Sequence, residues 1–257
     1  MAYRDDPDLA FLGTLNSEEL NDLVYLIIHD KDGERRWTET LTVNEKYKRY
    51  APNHSKYWQE IAEEIQHFGG NTFINIFRNA GVPYKEILCD VCDKLKVNYH
   101  KYASTKQIEQ NLLMKILQQA LEEMSPSQLK TLATEIGLDN ISIPSAQAMT
   151  SIFLAIFRAG GFKSYQITVI IANAVLKTLI GRGLSFASNT LLTRTAAILT
   201  GPIGWAITAL WTLIDIAGPA YRVTIPAVIQ VIYLRSLSEN RTEIEKINQI
   251  DISKINL

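Results

Sequence analysis

Cysteine is nearly missing from these 257 residues, with Cys89 and Cys92 the two in the chain. That argues against a secreted disulfide scaffold and makes a reducing compartment the expectation. Sustained period-two alternation is almost missing as well, which leaves half-buried strands little support. The start, Met1-Ala2-Tyr3-Arg4-Asp5-Asp6-Pro7-Asp8, lacks a basic stretch followed by an apolar run, so no signal peptide is read there. Neither sign of charge prevails, with 26 Lys plus Arg against 27 Asp plus Glu. A formal charge of −1 and a charged fraction of 21% give neither the basic footprint a nucleic-acid partner would need nor the acidic low-complexity character of a disordered chain. The expected location is the cytoplasm, with a peripheral position at the inner membrane left open.

Acids are what the later part of the chain lacks. Residues 1–140 hold 22 acids and 16 bases, whereas 141–235 hold one acid, Asp215, and seven bases: Arg158, Lys163, Lys177, Arg182, Arg194, Arg222 and Arg235. The excesses are −6 and +6. They divide the chain into an acidic amphipathic half (1–140), a basic apolar half (141–235) and an amphipathic tail (236–257) that carries Ile244, Ile247, Ile250, Ile252 and Ile255. Two plain readings are that the halves attract each other or that the apolar half is core. A basic apolar segment also suits an anionic membrane surface, where each nearby base contributes about 1 kcal/mol.

Helix punctuation recurs throughout, and the expected fold class is all-α. Asn16-Ser17-Glu18-Glu19 offers a cap before the stripe Leu20, Leu23, Val24, Ile27 and Ile28. Pro52-Asn53 opens a second helix, with Trp58, Ile61, Ile65 and Phe68 on one face, that ends at Gly69-Gly70. Pro83 suits the first turn of the helix through Ile87, Leu88, Val91 and Leu95, because its missing N–H has no partner to lose there. Residues 105–124 form an amphipathic helix with Ile108, Leu112, Leu113, Ile116 and Leu117, and Ser125-Pro126-Ser127-Gln128 caps the next.

Ile76-Phe77-Arg78-Asn79-Ala80-Gly81 is echoed by Ile156-Phe157-Arg158-Ala159-Gly160-Gly161, with Tyr84 and Tyr165 following. Leu15 to Leu20 and Met124 to Leu129 match in the same order, which points to a diverged internal helical repeat. The second copy is far more apolar: Gln166 to Leu176 is buried on all sides or faces lipid. Further on, Thr195 to Ile214 runs twenty residues without a charge, enough to cross about 30 Å of hydrocarbon. Its four threonines, Gly201, Pro202 and Gly204 make it only moderately hydrophobic, which favours conditional membrane contact over permanent insertion. With Tyr165 to Ile180 and Val223 to Leu234, it forms a central apolar helical hairpin, either wrapped by the amphipathic helices or released at a membrane as in pore-forming helical toxins.

Constellations that carry chemistry are thin. Cys89-Asp90-Val91-Cys92 is a lone Cys-x-x-Cys away from any helix N-terminus, with no second pair for zinc. Glu64 and His67 have the Glu-x-x-His spacing of a di-iron site, but its second half is missing. These four are the weak metal or redox candidates, and no cofactor is expected. Gly160-Gly161-Phe162-Lys163-Ser164 resembles a phosphate loop only superficially, since no buried strand precedes it. Asp215 beside an uncharged run needs a basic partner, Arg194 or Arg222, and a buried Asp215–Arg222 ion pair is the candidate.

Tyr3-Arg4-Asp5-Asp6 with Asp8-Leu9 and Phe11-Leu12, Gln66-His67-Phe68-Gly69-Gly70, Gly201-Pro202-Ile203-Gly204, and the block from Ala220-Tyr221-Arg222 through Thr224-Ile225-Pro226 to Val228 together resemble the bacterial YaaW-type family over nearly the whole chain. Sequences of that family are similar in turn to ubiquinol-cytochrome c chaperones, which implies a role in assembling a respiratory complex. No catalytic residue or cofactor comes with the resemblance.

The leading expectation is a non-enzymatic helical protein that associates with, or conditionally inserts into, an anionic membrane through its apolar half. Lys163, Lys177, Arg182, Arg194 and Arg222 would touch head groups, and Thr195 to Ile214 would insert. The alternative is an assembly chaperone that binds an apolar helix of a partner protein. Either role is open to a homo-oligomer.

Overall fold

The computed structural model describes residues 3–37, 39–68, 81–138, 145–185 and 221–246. Within them the chain is all-α. The helices are α1 (Ser17–Ile28), α2 (Glu45–Tyr50), α3 (Trp58–Phe68), α4 (Tyr84–Lys94), α5 (Thr105–Glu123), α6 (Pro126–Glu135), α7 (Ala146–Ala159), α8 (Gly161–Ile180) and α9 (Tyr221–Glu239). Short 3-10 turns lie at Ala10–Thr14, Leu41–Val43 and His54–Tyr57. Among the described residues the one β feature is an isolated bridge between His29 and Arg35.

Local chemistry sets several of these boundaries. Asn16 accepts the Glu19 N–H at 2.9 Å while the Glu19 carboxylate accepts the Asn16 N–H at 2.8 Å, closing a capping box that starts α1. Ser104 and Ser125 do the same for α5 and α6 with Gln107 and Gln128. At the other end of α8, Gly181 sits in the left-handed region (φ +78°), where a Cβ would also lie 2.6 Å from the Lys31 carbonyl oxygen. The helix expected from Pro52-Asn53 instead begins as a 3-10 turn, and α3 starts at Trp58. The Asn53 carboxamide is not free to cap it, because its oxygen accepts from the Ser17 and Ser55 hydroxyls at 2.8 and 2.9 Å.

The core is built around α8 and α9. Every residue of α8 from Tyr165 to Leu176 is buried, and every residue of α9 from Val223 to Ile232. The two helices pack on each other, α1, α3 and α4 pack on α9, and α5 and α7 pack on α8. These wrapping helices turn apolar stripes inward, Leu20, Leu23, Val24 and Ile27 from α1 and Ile108, Leu112, Leu113 and Ile116 from α5. Each such side chain contributes about 1.5–3 kcal/mol when fully buried. Helices from both sides of residue 140 therefore share one core. The run Thr195–Ile214 and the Ile76–Ala80 stretch of the first repeat copy lie outside the described residues.

Candidate functional site

Residues far apart in sequence meet at the C-terminal part of α9. Arg235 donates through Nε to both carboxylate oxygens of Glu109 on α5, at 3.2 and 3.0 Å, and through Nη2 to the Asp8 carbonyl at 2.7 Å. Its guanidinium also lies 4.5 Å from the centre of the Phe11 ring. The Tyr84 hydroxyl donates to the same carboxylate at 2.8 Å, and the Thr105 hydroxyl donates to Asp8 at 2.7 Å. Asp6 completes the arrangement by accepting the Tyr84 N–H at 2.7 Å. Only 3% of the Glu109 side chain is exposed. Burial pushes its pKa up, while the Arg235 charge and the Tyr84 hydroxyl pull it back.

Glu109 and Arg235 of this cluster also line a cavity of about 430 Å3 between α5, the α7–α8 turn and α9. Leu113, Phe157 and Ile232 make part of its wall, and Lys106, Arg158 and Glu239 stand around it. Lys106 pairs with Glu239 at 2.7 Å. The Gln110 amide donates to the carbonyls of Phe157 and Arg158, tying α5 to the C-terminal end of α7.

The bases expected at a membrane surface have varied surroundings. Lys163 donates to the Ile136 carbonyl and, at 3.2 Å, to that of Gly137, so it closes the C-terminal end of α6. Arg182 reaches Asp22 at 3.4 Å and lies 4.2 Å from the centre of the Tyr25 ring. Lys177 on α8 and Arg222 on α9 are exposed. Arg194 and Asp215 lie outside the described residues, and with Asp215 the candidate ion pair to Arg222. No helix among the described residues is long and apolar enough to cross a membrane.

Glu64 spends both oxygens on Thr40, accepting its N–H at 2.7 Å and its hydroxyl at 2.6 Å, which pins the turn at Leu41 to α3. His67 stands 3.8 Å from the Glu63 carboxylate, and burial lowers its pKa. Among the described residues no three His, Cys, Asp or Glu gather as a metal site requires. Cys89 is half-buried and Cys92 buried; burial raises both thiols, Cys92 to about 12. Both are protonated at neutral pH, the opposite of an activated thiolate.

The Glu109 cluster escaped the sequence reading, although one signal was present. Glu109, Leu112, Leu113 and Ile116 share the i, i+3, i+4, i+7 spacing, which places an acid on the inward stripe of α5. Nothing local links it to Tyr84, Arg235 or Asp8.

Residues 53–229 match a family model described as ubiquinol-cytochrome C chaperone, and residues 3–37 match one described as a domain of unknown function (DUF3944). Over 251 residues, 98% of this chain and 99% of the relative, the sequence is 52% identical to a UPF0174 protein of Helicobacter pylori strain J99. This chain belongs to the UPF0174 family. A UPF0174 protein of H. pylori strain 26695 is 45% identical over 77% of this chain and 96% of its own length. The UPF0174 protein YaaW of Escherichia coli K12 is 32% identical over 91% of this chain and 96% of its own, which bears out the YaaW-type resemblance. No solved structure matches. Two of the blocks that carry the resemblance touch each other: the Gln66 carboxamide accepts the Arg4 N–H at 3.1 Å and donates to the Arg4 carbonyl at 2.8 Å. Gly81 lets the chain pass there, since a Cβ on it would lie 2.6 Å from that of Gln66.

Proposed function

We propose that this UPF0174 protein is a non-enzymatic assembly chaperone that holds an apolar helix of a partner protein. The observation that carries the reading is the match of residues 53–229, α3 into α9, to the chaperone family model. The partner would then be a component of the membrane machinery that passes electrons from ubiquinol to cytochrome c. Geometry supports a docking role through α7, where Met149, Ile152 and Ile156 are only partly buried. Their i, i+3, i+7 spacing is the one by which helices are held in grooves. Deleting the gene in the source bacterium tests the reading: ubiquinol–cytochrome c reductase activity in membranes is expected to fall and to return on complementation. Unchanged activity and unchanged assembled complex on native gels would overturn it.

A peripheral membrane role is a second reading, favoured by the exposure of Lys177 on α8 and Arg222 on α9. Flotation with anionic and neutral liposomes at low and high salt separates the two. Co-flotation with anionic lipid alone supports membrane binding, and its absence under all conditions supports the protein partner.

A further inference from the structure

We propose that the cavity between α5, the α7–α8 turn and α9 binds a single acidic side chain of the partner's polypeptide. The charges around it are uneven. Lys106 is paired with Glu239, and Arg235 with Glu109. Arg158 lines the same cavity at an exposed position, and its guanidinium makes no hydrogen bond or ion pair among the described residues. Arg235 likewise keeps Nη1 unengaged there, since its bonds run from Nε and Nη2. Three bases against two acids leave one positive charge in the lining.

One negative charge balances it. A dianion such as phosphate would bring a second charge towards Glu109 and Glu239, where like charges repel. A guanidinium offers a planar fork that matches a carboxylate. At about 430 Å3 the cavity is far larger than a carboxylate, and its wall includes Leu113, Phe157 and Ile232. The occupant that fits is one Asp or Glu flanked by apolar residues. The partner's identity as a chaperone client rests on the function proposed above; the cavity's chemistry does not.

The test uses the intact protein and two fluorescein-labelled peptides, one with a glutamate between leucines and one with glutamine in its place. Fluorescence anisotropy is expected to give the glutamate peptide about tenfold tighter binding. Arg158→Gln should bring that ratio near one with unchanged thermal unfolding, Arg158→Lys should keep part of it, and Lys177→Gln, outside the cavity, should keep all of it. Equal affinity for the two peptides, binding of neither, a ratio that survives Arg158→Gln, or displacement by inorganic phosphate at equal concentration would each overturn the proposal. A deletion strain with intact reductase but a protein that still selects glutamate would remove the chaperone reading and leave the cavity standing.

Discussion

Arg235 bonds to Glu109 and Asp8 and lies against Phe11, and among the described residues the buried carboxylate it compensates has only the Tyr84 hydroxyl besides. Arg235→Met should therefore cost about 3–5 kcal/mol, because it leaves an uncompensated buried charge. Adding Glu109→Gln should restore part of that loss, since no charge is then stranded; urea unfolding of the two single variants and the double measures the coupling. Two strictly additive effects would mean that the pair is not coupled. His54 sets a pH dependence. Its Nδ1 accepts from the Tyr57 hydroxyl and its Nε2–H donates to Asn21 at 2.7 Å, an arrangement of the neutral ring, and burial lowers its pKa below 6.5. As pH falls past the ordinary histidine value, the unfolded chain takes up a proton that the folded chain refuses, so stability is present above about pH 6.5 and lost below it. His67 shifts in the same direction, and Glu64 and Glu109, both raised by burial, contribute the opposite slope. The difference between wild type and His54→Gln isolates the one group: the variant's urea midpoint should fall less between about pH 7 and 5. A buried acid on an apolar stripe is visible in sequence, as Glu109 is; its partners 25 and 126 residues away are not.

Elements that begin with their own caps were the legible ones. Asn16 with Glu19 and Ser125 with Gln128 complete their hydrogen bonds within three residues, so the capping boxes could be read directly. The six residues of α2 are too few to show a period, and α7 follows a segment whose only mark was a change in charge. Lys163 illustrates what spacing cannot carry. In sequence it stands in a glycine-rich turn among bases suited to head groups; in the fold it donates to two carbonyls 26 and 27 residues earlier. Those carbonyls end α6, where a cation also meets the negative end of the helix dipole. Lys163→Met should destabilise the protein by about 1 kcal/mol, whereas Lys177→Gln, on the exposed edge of α8, should stay within about 0.5 kcal/mol. Chemical denaturation measures both, and equal effects would remove the helix-end role of Lys163.

Across the described residues, ion pairs tie the early part of the chain to the late part. Glu19 meets Arg241, Asp22 meets Arg182, Glu109 meets Arg235 and Lys106 meets Glu239, each pair joining the part before residue 140 to the part after 180. The three pairs other than Glu109–Arg235 are partly exposed and contribute about 0–1 kcal/mol apiece, so their value lies more in fixing which surfaces meet than in stability. The weight is carried by the buried part of the first 37 residues. Leu9, Leu12, Leu20, Leu23 and Ile27 belong to the same core as α8 and α9, and Asp6 and Asp8 supply partners to Tyr84, Thr105 and Arg235. The boundary between the two family models, at residues 37 and 53, thus separates segments that bury each other's apolar faces. A fragment of residues 39–257 is expected to lose cooperative unfolding, because it exposes the face of α9 that α1 covers and strands the Arg235 and Tyr84 donors. The intact chain should unfold in one transition by circular dichroism and by tryptophan fluorescence, with coincident midpoints. Adding a peptide of residues 1–37 to the fragment should restore a transition; a fragment that unfolds cooperatively by itself would show that the first segment is an addition to a core already complete.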